Sequence, residues 1–300
     1  MSDARRFSFL VNPTSGGGAA PGAVVPVARL LRDAGAEVEV TYSPGPRATS
    51  DLVAAAVARG DVVVSVGGDG MLSSIAGQVA AGGGLLGMVP AGRGNDFARM
   101  LGIPNDPTQV ARILLEAEPS AVDLIEVTTP NGEVIQVAGS VYVGVDARAA
   151  EIVDGARWLP RKLQYPYAAI RALATFRPVQ MQVMLDGERR RVGVATVVAA
   201  NSSFYGSGMK IAPDAVVDDG RLDVVLIAAA NKLDLIRSLP KVYDGAHVQL
   251  DEVTVLRGQE LVLAAEAAVA VGGDGEPLGL LTPGAEIRIA IRAGALNVLK

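Results

Sequence analysis

The stretch that decides the fold runs from Asp61 to Ser73 and reads DVVVSVGGDGMLS. Its β-branched run predicts a strand, its glycines predict a tight turn, and helix-compatible residues follow. The backbone N–H groups of such a turn and the positive end of the helix dipole can bind phosphate. Asp69 alone would repel that phosphate, so the turn predicts phosphate and a divalent cation together. These residues by themselves leave open a plain glycine-rich turn with an Asp helix cap.

Two further predicted strands end in loops of the same kind. Phe7 to Val11 leads into Asn12-Pro13 and a run of glycines, and Leu85 to Val89 leads into residues 90–96, PAGRGND. Ligands of an open parallel sheet bind outside the carboxyl ends of its strands. The three loops are therefore expected to converge on one nucleotide.

Composition narrows the chemistry. The 300 residues include no cysteine and one histidine, His247, which excludes a disulfide framework, a thiol nucleophile, a Ser-His-Asp triad and a Cys/His zinc site. Carboxylates, hydroxyls, backbone amides and a metal bound by oxygen remain. The net charge of −5 and the few aromatic residues argue against a nucleic-acid partner. No apolar run reaches the ~18 residues of a membrane span, so we expect a cytoplasmic protein.

The pattern of predicted secondary structure changes near residue 128. Strand and helix alternate over residues 1–128, which predicts an α/β domain with a parallel sheet. Residues 129–289 read as short strands separated by turns such as Asp186-Gly187, which predicts an antiparallel β-sandwich. A helical insertion from about Glu151 to Phe176 interrupts it.

Other nucleotide-binding signatures are missing. No lysine follows a glycine, so the Walker A motif is absent. The turn after Gly70 lacks the third glycine of the dinucleotide fingerprint, and the protein-kinase His-Arg-Asp loop does not occur.

Several ordered motifs carry a family resemblance over essentially the whole chain. They are Asn12-Pro13, GGDG at 67–70, residues 90–99, GMKIAPDAVVDDGRLD at 208–223, Gly245 to His247, Asp-Gly-Glu-Pro at 274–277 and Gly-Ala-Leu at 294–296. In these the chain resembles the diacylglycerol-kinase catalytic superfamily of soluble bacterial lipid kinases. That superfamily also includes sphingosine and ceramide kinases and is distantly similar to NAD kinases and phosphofructokinases.

The resemblance implies an NAD-kinase-like α/β domain binding ATP, a C-terminal β-sandwich, and catalysis in the cleft between them. It also leaves open that the final segment, from about 290 to 300, returns to the first domain. It implies that Glu276 is the general base and that Asp69 organises the phosphates through Mg²⁺. It implies a structural Mg²⁺ held by the Asp219 side chain and the carbonyls of Val216 and Arg221. The implied nucleotide-contacting positions are Asn12, Thr41, Gly67, Gly68, Asp69, Gly70, Met71, Leu72, Ser73, Ser74, Arg93 and Asn95. On spacing alone, Glu276 and Asp219 also read as turn residues.

Two positions depart from the family pattern. Met71 and Arg93 stand where the family usually has threonine, so two hydroxyls that could contact phosphate are missing. Arg93 supplies positive charge and partly replaces the lost contact. Nucleotide preference and turnover stay open at this point.

The leading hypothesis is a lipid kinase that converts ATP and 1,2-diacylglycerol to phosphatidate and ADP. The alternatives are a kinase for another lipid alcohol, such as a sphingoid base, ceramide or monoacylglycerol, a kinase for a soluble substrate such as NAD, and a non-catalytic lipid or nucleotide binder. Retention of Asp69, Asp219 and Glu276 argues against the non-catalytic binder.

The segment from Arg157 to Arg177 has a marked charge bias. It carries five basic residues and no acid, with aromatic residues between them. Basic side chains with interfacial aromatics favour peripheral contact with an anionic membrane, while packing of this helix on the sandwich is the alternative. A homodimer is left open.

Overall fold

The computed structural model describes residues 5–43, 45–156 and 158–300, apart from the side chains of Pro46, Arg47, Glu151, Asp154, Arg161, Lys162 and Tyr165. Contacts divide the chain into two units, Met1–Leu124 with Ala293–Lys300, and Ile125–Arg292. In the described residues, every helix is too short or too polar to cross a bilayer.

The first unit alternates strands and helices. Its strands are β1 (Arg6–Val11), β2 (Glu37–Tyr42), β3 (Val62–Gly67), β4 (Leu85–Pro90) and the start of β5 (Pro119–Thr128). Its helices are α1 (Ala20–Asp33), α2 (Pro46–Ala58), α3 (Asp69–Ala81), α4 (Asp96–Met100) and α5 (Pro107–Glu116).

The second unit is rich in strands. They are the end of β5, then β6 (Val134–Val137), β7 (Ser140–Gly144), β8 (Val179–Leu185), β9 (Glu188–Ala200), β10 (Leu222–Ala228), β11 (Val253–Gly258), β12 (Glu260–Ala265), β13 (Val269–Gly273), β14 (Glu276–Leu281) and β15 (Glu286–Leu299). The helices are α6 (Val145–Gly155), α7 (Arg161–Thr175), α8 (Lys232–Ser238) and α9 (Pro240–Asp244).

The first unit is built on a parallel sheet, as the sequence predicts. The strand order is β2-β1-β3-β4, followed by the last residues of β15, where Asn297 lies opposite Leu85. Every residue of β3 is buried, which explains its continuous β-branched run, because helices cover both faces of such a sheet. Helix α5 packs closely on β4: a Cβ at Gly87 would lie 2.4 Å from Leu114 Cδ2.

The second unit is an antiparallel β-sandwich. Its paired strands run antiparallel in the order β14-β13-β7-β9-β8-β12-β15, with β10 bridging β9 and β11, and β5 pairing β6. Alternate residues of these strands form one apolar core that includes Val141, Val197, Leu261 and Ile289. The fold class predicted from the sequence is confirmed.

The helical insertion differs from the prediction in its bounds. Two helices replace the single one expected from 151 to 176, and the first begins at Val145. Gly144 permits this early start, because it has φ 118 and a Cβ there would lie 2.4 Å from the Ala195 carbonyl oxygen. Pro160 separates the helices, since the residue before a proline disfavours helical geometry.

Candidate functional site

The three glycine-rich loops of the first unit meet at the carboxyl ends of β1, β3 and β4. A Cβ at Gly92 would lie 2.4 Å from Gly68 Cα, and one at Gly16 would lie 2.3 Å from the Ala91 carbonyl oxygen. The Ala91 N–H donates to the Gly67 carbonyl at 3.0 Å. The predicted convergence of the loops is therefore present, and only glycine fits at these contacts.

Asp69 lies at the centre of this cluster. Helix α3 begins at Asp69, so its carboxylate lies near the positive end of that helix. Its Oδ1 accepts a hydrogen bond from the Phe97 N–H at 3.1 Å, in the first turn of α4. A Cβ at Gly94 would lie 3.0 Å from the Asp69 Oδ2 atom, so the carboxylate faces the loop after β4. The Asp69 carboxylate is thus held at Oδ1 by the first turn of α4 and lies beside the loop that follows β4.

The loop after β4 is closed by Asn95. Asn95 adopts a left-handed conformation with φ 53, and its Oδ1 accepts from the Gly92 N–H at 2.7 Å. In the loop after β1, Asn12 Oδ1 accepts from both the N–H and the hydroxyl of Thr14, at 3.0 and 2.9 Å. Both asparagines therefore shape loops through their side chains.

The other residues predicted to contact the nucleotide differ in how exposed their side chains are. Arg93 and Ser74 are exposed, while Met71 is half-buried and packs back on Gly67, where a Cβ would lie 3.1 Å from its Sδ. Leu72 and Ser73 are buried within the unit, and Thr41 lies on β2 opposite Leu10. The structure thus brings Asp69, Asn95 and the glycines together, whereas Leu72 faces the core.

Glu276 follows a tight hairpin turn in the second unit. Asp274 and Gly275 both have positive φ, 46 and 89, and connect β13 to β14 so that Gly273 pairs with Glu276. Left-handed geometry at both central residues is typical of a type I′ hairpin, as the Asp-Gly dipeptide predicts. The Glu276 side chain is exposed.

Asp274 fixes that turn, a role that the sequence analysis missed. Its carboxylate accepts three backbone N–H groups, from Ala138 at 3.1 Å and from Gly139 and Ser140 at 2.8 Å each. The Gly275 N–H also donates to the Tyr142 hydroxyl at 2.9 Å. A Cβ at Gly139 would lie 2.7 Å from Asp274 Oδ1, so glycine lets this segment approach the turn closely.

The turn around Asp219 carries the side chain that the family resemblance implies as a metal ligand. Asp219 Oδ1 accepts from the Arg221 N–H at 3.0 Å, and Oδ2 accepts from Arg257 Nη2 at 2.7 Å. Both carboxylate oxygens therefore have donors, one of them a cation.

An apolar cavity lies between the sheet and the helices of the second unit. Its interior volume is about 80 Å³, it opens to solvent, and its walls include Leu173, Ile227, Leu239 and Val253. One lining residue, His247, belongs to the motif Gly245 to His247, while the other walls come from elements far apart in the chain.

One end of the cavity is polar. Asp146 Oδ2 accepts from the Thr196 hydroxyl at 2.7 Å, and Oδ1 accepts from the Tyr205 hydroxyl at 3.2 Å. Burial raises the pKa of the Asp146 carboxyl, while these two hydrogen bonds oppose the shift. Burial and the adjacent Asp146 also raise the pKa of Tyr205. The cavity therefore combines an apolar body with a buried threonine hydroxyl and the partly buried polar groups of Asp146 and Tyr205.

His247 lies inside the second unit and lines the apolar cavity. It is buried, and its Nε2 lies 3.0 Å from the Ile211 carbonyl oxygen. Burial is the main cause that lowers the pKa of its imidazole.

Comparison with known proteins gives both units a relative. Residues 6–127 match the model of the diacylglycerol kinase catalytic domain, and residues 139–300 match the YegS C-terminal NAD kinase beta sandwich-like domain. A "Diacylglycerol kinase" of Mycobacterium tuberculosis (strain ATCC 25618 / H37Rv) is 34% identical over 258 residues, covering 85% of this chain and 83% of the relative. A "Probable lipid kinase YegS-like" of Pseudomonas aeruginosa strain UCBPP-PA14 is 31% identical, covering 89% and 86%.

Solved structures share the fold. A crystal structure of a diacylglycerol kinase from Bacillus anthracis str. Sterne superposes with a TM-score of 0.72 at 17% identity, covering 100% of this chain and 98% of that chain. Yeast NADH kinase complexed with NADH superposes with a TM-score of 0.55 at 11% identity, covering 99% and 83%. Together with the two matched domains and relatives above 30% identity, these findings lead to one conclusion: the chain belongs to the diacylglycerol kinase and YegS-like lipid kinase family.

Proposed function

We propose that this protein transfers the γ-phosphoryl group of ATP to the hydroxyl of diacylglycerol, giving phosphatidate and ADP. Membership in a lipid kinase family supports phosphoryl transfer to a lipid. The observation that carries the lipid assignment is the apolar cavity with its partly buried Asp146, Thr196 and Tyr205 end, whose interior of about 80 Å³ suits one end of an acyl chain beside a polar head. The name of the Mycobacterium tuberculosis relative supports diacylglycerol.

The first unit is assigned to ATP. The converging loops place backbone N–H groups and the start of α3 around Asp69, a combination suited to phosphates that arrive with Mg²⁺ as part of the substrate. The ion neutralises phosphate charge, and Asp69 is proposed to hold the phosphates in register through it. Exposed Arg93 adds positive charge where the family usually has a hydroxyl.

Glu276 is assigned to the alcohol. Its carboxylate takes the proton from the lipid hydroxyl as the hydroxyl oxygen forms a bond to the γ-phosphorus. The bond from that phosphorus to the bridging oxygen of ADP breaks, and ADP leaves with the electron pair. The hydrogen bonds of Asp274 fix the turn, and so the backbone from which the Glu276 side chain extends. Such positioning matters because correct placement of the reacting groups supplies much of the rate enhancement of phosphoryl transfer.

The protein is proposed to act from the cytoplasm as a peripheral membrane protein. Trp158 is 72% exposed, and Leu163 and Ile170 of α7 are also exposed. Arg171 stacks 6.0 Å from the ring centre of Tyr167, which meets the Trp158 ring edge-on at 5.9 Å. Arg157 and the side chains of Arg161 and Lys162 lie outside the described residues, so the surface is argued from the others.

The test is purified protein with Mg-ATP and single lipids in mixed micelles: diacylglycerol, monoacylglycerol, ceramide and sphingosine, with NAD as a soluble acceptor. Radiolabelled phosphatidate from diacylglycerol, at a higher kcat/KM than any other product, is expected. A different lipid product would reassign the substrate. Nucleotide binding without any product would identify a non-catalytic binder.

A cavity variant tests the lipid site itself. Leu235→Trp on α8 fills space in the cavity wall and should raise KM for long-chain diacylglycerol at least several-fold while leaving ATP affinity unchanged. Leu233→Trp is the matched control, since Leu233 is on the same helix and 60% exposed. Equal KM values for both variants would place the acyl chain elsewhere.

A further inference from the structure

The positively charged side chain of Arg257 binds the carboxylate of Asp219. Arg257 Nη2 lies 2.7 Å from Asp219 Oδ2, and Arg257 Nε lies 3.1 Å from Asp223 Oδ1. One guanidinium thus joins two carboxylates. Such charge-assisted hydrogen bonds are the strong ones in proteins, and a planar guanidinium suits bridging two acceptors.

Strand pairing places Arg257 there. Arg257 on β11 lies directly opposite Asp223 on β10 in the antiparallel register. The Asp223 side chain is only 2% exposed, so its charge is largely shielded from water. Asp214 and Asp219 add negative charge near Asp223. An acidic turn beside a buried carboxylate needs a compensating cation, and Arg257 supplies it.

A divalent ion on Asp219 would compete with this arrangement. The Asp219 carboxylate already accepts from the Arg221 N–H and from Arg257. A divalent ion bound at Asp219 Oδ2 would lie beside the Arg257 guanidinium, and the two positive charges would repel each other. If the ion displaced the guanidinium instead, Arg257 would keep only its contact with Asp223. The ion would also lose part of its hydration shell.

We infer that Arg257 takes the place of the structural Mg²⁺ that the family resemblance implies, so that the 214–223 segment folds without a metal. This inference does not rest on the proposed catalytic activity. It makes the stability of the second unit independent of divalent ions and dependent on a side chain that lies 38 positions from Asp219 along the chain.

The test is the melting temperature of the nucleotide-free protein in EDTA and in millimolar Mg²⁺ or Mn²⁺. The wild-type Tm is expected to be the same in all of these buffers. Arg257→Gln should lower Tm in EDTA by roughly 2–4 °C, and the divalent ions should restore much of that loss by occupying the vacated turn. Arg257→Gln with Asp219→Asn should show no such rescue.

A matched control is Arg191→Gln, which removes an arginine from a surface pair with Glu266 in the same unit. Its Tm should not respond to divalent ions. A wild-type Tm that falls in EDTA, recovers in Mg²⁺, and loses this response in Asp219→Asn would overturn the inference. If Arg257→Gln does not fold, calorimetric titration of the wild type and of Asp219→Asn with Mn²⁺ replaces the melting experiment. Equal heats of binding for the two proteins support the inference. Saturable Mn²⁺ binding to the wild type that is lost in Asp219→Asn contradicts it.

Discussion

At the scale of single residues, the proposed chemistry depends on Glu276. Glu276→Gln keeps the size of the side chain and removes its ability to accept the alcohol proton. We expect kcat for lipid phosphorylation to fall about 10²–10⁴-fold, the range typical of a positioned base, with ATP affinity unchanged by calorimetry. Glu286→Gln, at an exposed glutamate that begins β15, is the control. A Glu276→Gln enzyme with most of its kcat would make Glu276 a turn residue only.

The sequence predicted individual residues correctly where a conformation depends only on neighbouring residues. The Asp-Gly dipeptide at 274–275 predicts its own hairpin, and the glycines around Asp69 predict their own turn. Asp274 and Arg257 were missed for a physical reason. The partners of Asp274 are backbone N–H groups, which every residue but proline carries, and Arg257 meets its acids only through strand register. Neither arrangement leaves a spacing pattern in the sequence.

At the scale of elements, α7 and the residues before it form the proposed membrane surface. Trp158→Ala with Arg171→Glu removes an exposed aromatic ring and reverses one charge. Each basic group near an anionic surface is worth roughly 1 kcal/mol, so sedimentation with phosphatidylglycerol vesicles should fall at least several-fold. Activity on a soluble short-chain diacylglycerol should persist.

The matched control is Val25→Ala with Arg29→Glu on α1, where both residues are exposed and the same charge change is made. If the two double variants bind vesicles equally, α7 is a structural helix only. The sequence predicted helix in this region from composition but not its division, since that depends on Gly144 and on Pro160.

At the scale of the whole molecule, β15 serves both units. Leu296 is fully buried in the part of β15 that joins the first unit. Leu296→Ala should cost about 2–5 kcal/mol in the free energy of unfolding, with the loss of amide protection concentrated in β3 and β4. Asn297→Ala, at the exposed neighbour, should change little. Protection lost evenly across the chain would contradict this assignment.

Sequence patterns predict only part of the arrangement of strands in the two units. Alternating strands and helices predict the parallel sheet, and short strands with turn signals predict the sandwich. Residues 293–299 carry no local pattern that distinguishes parallel pairing with β4 from the antiparallel pairing that β15 makes earlier with β12. Partner choice there depends on which sheet edge is open, which is a property of the folded chain.

The position of β15 also sets an order of events during synthesis. Residues 125–292 are translated between the two parts of the first unit. At about 5–20 residues per second, the edge of β4 waits on the order of 10–30 s for its neighbour. An open strand edge is a template for pairing with other chains. The nascent polypeptide is therefore expected to need shielding on the ribosome, and its soluble yield should follow the supply of chaperones during translation.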